Sequence, residues 1–117
     1  MSGIDFVALQ VRDPESAATF LETHLGWTRT PEGPPHAIVF ATEPIPVAVR
    51  EPYEDLPVDP RLGVGAALWV KVDDTRALAG HLSESGVELL DEVTQGPFGW
   101  TTTIVGPERY QLTLHDG

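Results

Sequence analysis

The chain writes one short pattern twice, and this duplication limits what it can fold into more than any other feature. Residues 65–74 read Gly-Ala-Ala-Leu-Trp-Val-Lys-Val-Asp-Asp, an alternating apolar run ending in aspartates that precede a helical pattern. Residues 6–13, Phe-Val-Ala-Leu-Gln-Val-Arg-Asp, have the same form. Leu9, Val11 and Asp13 match Val70, Val72 and Asp74 at a constant offset of about sixty residues, a period long enough for a complete supersecondary module. The implied architecture is two copies of one small unit within 117 residues, neither half long enough to be a comfortable fold alone.

Read in order, residues 4–11 alternate as a strand with Val7, Leu9 and Val11 on one face and Phe6, Ala8 and Gln10 on the other. Asp13 caps a helix, Pro14 suits its first position, and Glu15 sits by the positive end of its dipole. Ala17, Phe20, Leu21, His24 and Leu25 follow the helical spacing, and Gly26 stops it. Residues 27–30 read as a short strand, 31–35 as a turn, and 36–42 and 45–50 as strands. Pro44 and Pro46 place the last of these at a sheet edge or make it begin late, because proline cannot donate to a ladder.

The first unit, about residues 1–52, is thus βαβββ. Residues 53–64 read as a linker rich in proline and acid, and the second unit covers about residues 65–117. There the strand 66–72 leads to Asp73 or Asp74 as the cap of a helix with Leu78 and Leu82 inward and Gly86 at its end. Residues 87–93 and 101–105 are strand candidates around a turn at 95–99. Residues 106–109 form a tight turn, and 110–115 close as the final strand.

The charge balance narrows the partners. With 18 acidic and 7 basic side chains the formal net charge is −11, which disfavours nucleic acid and anionic membrane surfaces and favours a cationic ligand or simple solubility. The absence of cysteine excludes disulfides, thiolate metal sites and cysteine nucleophiles. No apolar run reaches the roughly 20 residues of a membrane span and no signal peptide is legible, so a cytoplasmic location is expected.

Three runs in the first unit, Leu9-Gln-Val-Arg-Asp-Pro-Glu15, Phe20-Leu21 and Leu25-Gly-Trp27, resemble the vicinal oxygen chelate superfamily, the glyoxalase, bleomycin-resistance and extradiol-dioxygenase group. Val70-Lys-Val-Asp-Asp74, Ser85-Gly-Val87 and Gly106-Pro-Glu-Arg-Tyr110 continue the likeness through the second unit. The resemblance implies an α+β fold of two tandem βαβββ modules, their curled mixed sheet forming a cup with helices outside. It also implies a twofold dimer, with each chain forming its own cup or with units exchanged between chains.

Metal-dependent members place His, Gln or Glu at positions that fall here on Phe6, on or near Val49, and on Ala67 and Thr113, so the resemblance implies no retained metal site and no cofactor. A relocated site would have to draw on Glu51 and His115. Two function classes follow. One is a metal-free protein that sequesters a planar aromatic or cationic compound, as drug-resistance members do without chemistry. The other is a lyase, isomerase or dioxygenase with a relocated site.

The candidate ligand-binding residues follow from strand alternation and from the implied cup. Trp69 and Trp100 are expected to present aromatic surface for stacking, with Phe6 and Phe40 on the floor. Gln10, Lys71, Thr113 and His115 supply polar groups on or near the same wall, and Tyr53 and Phe98 lie on segments able to close the opening. Trp27 is expected in the core. No nucleophile triad or glycine-rich phosphate loop is present.

Overall fold

A computed structural model describes residues 2–56 and 65–117, and the chain divides into two compact units, Met1–Val58 and Asp59–Gly117. The expected linker at 53–64 falls mostly on residues 57–64, outside the described residues.

In the first unit, β1 (Val7–Gln10) is followed by α1 (Pro14–Leu25), β2 (Ala37–Phe40) and β3 (Val47–Arg50). Asp13 caps α1 by accepting from the Ser16 N–H at 3.0 Å, and Pro14 occupies the first turn, where its missing donor costs nothing. Gly26 ends the helix at φ 69°, a left-handed conformation open to glycine, with its N–H donating to the Glu22 carbonyl. Ala17, Ala18 and Leu21 form the buried stripe, while Phe20 and His24 pack on each other one turn apart at 4.7 Å.

The sheet order is β1-β3-β2, with β3 parallel to β1 and antiparallel to β2. β3 is therefore central, not an edge. The prolines stay off its ladder because the strand begins at Val47, and Pro46 contributes its carbonyl, which accepts from the Val7 N–H. The short strand expected at 27–30 reduces to one bridge, Arg29 with Phe40, flanked by backbone bonds from Thr30 to Val39 and from Ala41 to Thr28.

The second unit repeats the plan with β4 (Ala67–Lys71), α2 (Thr75–Glu84), β5 (Thr94–Gly96), β6 (Gly99–Val105), a 3-10 turn (Pro107–Arg109) and β7 (Gln111–His115). Asp74, rather than Asp73, caps α2 by accepting from the Ala77 N–H at 3.1 Å. Thr75, Ala79 and Leu82 are its buried residues, and Leu78 is only half-buried. The sheet order is β4-β7-β6-β5, with β4 and β7 parallel and the other pairs antiparallel.

The strand expected at 87–93 is displaced. Leu89 makes one bridge to Ile104, and beyond it the Asp91 carboxylate accepts from the Thr103 N–H at 2.8 Å and the Thr102 hydroxyl at 3.0 Å. A side chain thus takes the donor that a backbone ladder would have used, and regular pairing resumes only at Thr94 with Thr101. Among the described residues, no helix is long and apolar enough to cross a membrane.

Candidate functional site

In the second unit, strand parity separates the two faces of the sheet. Leu68, Val70, Thr102, Ile104, Leu112 and Leu114 share the face that meets α2, and the last four are buried. The opposite, helix-free face carries Trp69, Lys71, Thr101, Thr103, Thr113 and His115, set side by side by the register of β4, β7 and β6.

Large apolar surface is exposed there. Trp69 and Phe98 are 52% and 55% accessible, and their rings meet edge to face at 5.5 Å. The His115 imidazole also neighbours Trp69, with ring centroids 5.8 Å apart and the planes tilted. Phe98 reaches Trp69 from the two-residue turn between β5 and β6, which Gly99 closes at φ 79°. On the strands beside Trp69, the Thr103 and Thr113 hydroxyls bond to each other at 2.8 Å. The result is an aromatic surface beside a hydroxyl pair and Lys71, a mixture of apolar area and sparse polar groups.

The helix-free face of the first unit bears Gln10 and Arg50 side by side. Gln10 accepts from the Tyr53 N–H at 2.9 Å, and the Arg50 guanidinium lies over the Tyr53 ring at 3.8 Å. Phe6 precedes β1 and is 44% accessible. The structure therefore groups Gln10 and Tyr53 within one unit, and Trp69, Lys71, Phe98, Thr113 and His115 within the other.

Two expected placements are corrected. Phe40 is not on a cup floor: it pairs with Val47, shares the α1 side with Val49, is wholly buried and meets Trp27 edge to face at 5.7 Å. Trp100 is not on the helix-free face either. β6 begins at Gly99, so Trp100 has the parity of buried Thr102 and Ile104, and the Arg76 guanidinium of α2 covers its ring at 4.4 Å. Arg50 was missed, although its alternation with Ala48 and its position at the strand end were readable.

Asp116 fixes this arrangement. Its carboxylate accepts from the Thr75 N–H at 3.0 Å and the Trp100 N–H at 2.9 Å, tying the chain after β7 to the start of α2 and of β6. These two donors hold its carboxyl below the usual aspartate range. In the first unit Arg29 bonds Glu22 and Glu15, which holds the Glu22 carboxyl low and the guanidinium firmly charged.

The residues at the family's metal positions do not fit a divalent ion. Phe6 and Ala67 have no donor, the Thr113 hydroxyl is engaged by Thr103, and Val49 is buried on the α1 side, with Ala48 and Arg50 as its neighbours on the other face. The relocated candidates have other partners: Glu51 meets the His36 imidazole at 2.9 Å, and His115 Nδ1 lies 3.2 Å from the Gly117 carbonyl. Among the described residues, no group of three or more His, Asp or Glu side chains is placed to hold a metal.

Duplicated units, each with a helix on one sheet face and aromatic and polar side chains on the other, define a class of small α+β proteins. Residues 3–114 match the Glyoxalase/Bleomycin resistance protein/Dioxygenase superfamily, and the chain belongs to it. Among solved structures it is similar to UcmS2, at 21% identity over 100% of this chain and 99% of that one, with a TM-score of 0.78. It is similar to protein ATC0852 from Agrobacterium tumefaciens at 22% identity, covering 99% and 98% of the two chains, TM-score 0.75. A lactoylglutathione lyase from the same organism aligns at 17% identity over 100% and 95%, TM-score 0.73. At these identities the likeness is one of fold. No curated protein matches the chain.

Proposed function

We propose that this protein binds a planar aromatic compound without a metal, in the sequestering manner associated with the resistance members of its superfamily. The observation that carries this reading is the exposed Trp69, flanked by Phe98 and His115 on the helix-free face of the second unit. An exposed tryptophan held edge to face by a neighbour keeps a ring face for stacking, and each aromatic contact is worth about 0.5–1.5 kcal/mol beyond the area buried. One of the Thr103 and Thr113 hydroxyls donates to the other, which leaves one O–H to donate to a polar group of the ligand or to solvent.

A thermal-shift screen of planar compounds, followed by tryptophan-fluorescence titration of the hits in the presence of a chelator, tests the reading. Binding should persist with the chelator and weaken at least about tenfold in Trp69→Ala, the loss of one or two aromatic contacts. Unchanged binding in Trp69→Ala, or stoichiometric divalent-metal binding lost in Glu51→Ala or His115→Ala, would overturn it in favour of a lyase, isomerase or dioxygenase.

A further inference from the structure

The chain carries 18 acidic and 7 basic side chains, yet its described strands hold no carboxylate. Apart from His115, the residues of those strands able to carry charge are Arg50 and Lys71, both basic and both on helix-free faces. Strands disfavour Lys and Glu alike, so avoidance of charge alone does not explain which sign remains.

Their rows repeat with the duplication, although Arg50 lies on the last strand of its unit and Lys71 on the first strand of its own. Gln10 pairs with Arg50 at the end of the first unit's parallel ladder, and Lys71 pairs with His115 at the end of the second's. Each cation-bearing row has an aromatic neighbour: Tyr53 lies against Arg50, and Trp69 against His115. Three carboxylates of the second unit are committed elsewhere, while Asp73, two residues after Lys71, is exposed. Asp91 accepts from Thr103 and Thr102, Asp74 caps α2, and Asp116 binds backbone donors at the start of α2 and β6. Lys71 is exposed and has no ion-pair partner among the described residues.

We propose that the aromatic ligand of the Trp69 face is an anion, its ring stacked on Trp69 and its carboxylate or equivalent acidic group held by Lys71. This rests on the reading above and specifies the ligand's charge. Trp69 and Lys71 stand on the same face two residues apart, about 7 Å along the strand, within reach of a bicyclic arene with one acidic substituent. The net charge of −11 acts against an anion at long range, but at physiological salt such fields fade beyond about 8 Å, whereas Lys71 acts at contact.

The test is calorimetric titration with three probes of one ring system, naphthoate, naphthamide and naphthylmethylammonium. The folded state of each variant is checked by circular dichroism. Naphthoate should bind wild type about fivefold tighter than the amide, the scale of one exposed ion pair, with the ammonium weakest. Lys71→Gln should remove that preference, and Lys71→Glu should reverse it toward the ammonium. Equal binding of the three probes, tighter binding of the ammonium, or an unaltered preference in Lys71→Gln overturns the anion assignment while leaving aromatic binding intact. If no probe binds, or if Trp69→Ala leaves all three affinities unchanged, the aromatic reading itself fails.

Discussion

Replacing Phe40 by alanine separates core from site. The ring is wholly buried on the α1 side of the first sheet, edge to face with Trp27, and its strand pairs with β3 at Val47. Truncating a phenylalanine so placed costs about 3–5 kcal/mol, the transfer free energy of the ring plus that of the cavity left by incomplete collapse. For 117 residues the unfolding entropy near the melting point is about 0.25 kcal/mol/K, so Tm should fall by about 12–20 °C. Phe98→Ala, which removes a ring that is 55% accessible, should cost less than about 1 kcal/mol and instead weaken ligand binding. Urea denaturation of both variants beside wild type, with ligand titration of each, decides the matter. Stability within about 1 kcal/mol of wild type for Phe40→Ala, together with loss of ligand response, would return this ring to the binding face and refute the packing argument.

Two further outcomes follow from the turn and the carboxylate that support the site. Gly99→Ala should lower stability by about 1–3 kcal/mol in chemical denaturation, because φ is 79° there and the new Cβ would press on the Asp116 carboxylate and, at 2.7 Å, on the Gly117 nitrogen. Asp116 has a folded-state pKa below its unfolded value of about 3.9, so its stabilisation is fully present above that value and lost as pH falls through the depressed one. The stability gap between wild type and Asp116→Asn should therefore stay level from neutral pH down to about 5 and close in stronger acid, as read by denaturation at stepped pH.

The duplication, both helices with their caps, and the two-faced character of β1 and β4 were legible because they depend on local spacing: Asp13 and Asp74 cap, Gly26 terminates, and Leu9 and Val70 alternate with Gln10 and Trp69. What escaped depends on partners distant in sequence. The face taken by Trp100 turns on where the hairpin bends. A two-residue turn at Pro97 and Phe98 starts β6 at Gly99 and gives Trp100 the parity of Thr102. The end of the 87–93 run was set by Asp91 competing for the Thr103 donor; the start of β3 just past Pro46 was one of the two readings its prolines allowed, while its central place was set by pairing with both β1 and β2. Phe40 showed alternation, but which side α1 would cover was decided by its pairing with Val47.

The most direct test of the central claim is to follow the three tryptophan indole N–H signals in a nitrogen-15 correlation spectrum while naphthoate is added in the presence of a chelator. If the ligand stacks on the helix-free face of the second unit without a metal, the Trp69 signal moves with saturation while those of Trp27, beside Phe40, and Trp100, beneath Arg76, stay in place. Movement of Trp100 with Trp69 unmoved, or shifts that appear only when a divalent metal replaces the chelator, would contradict it.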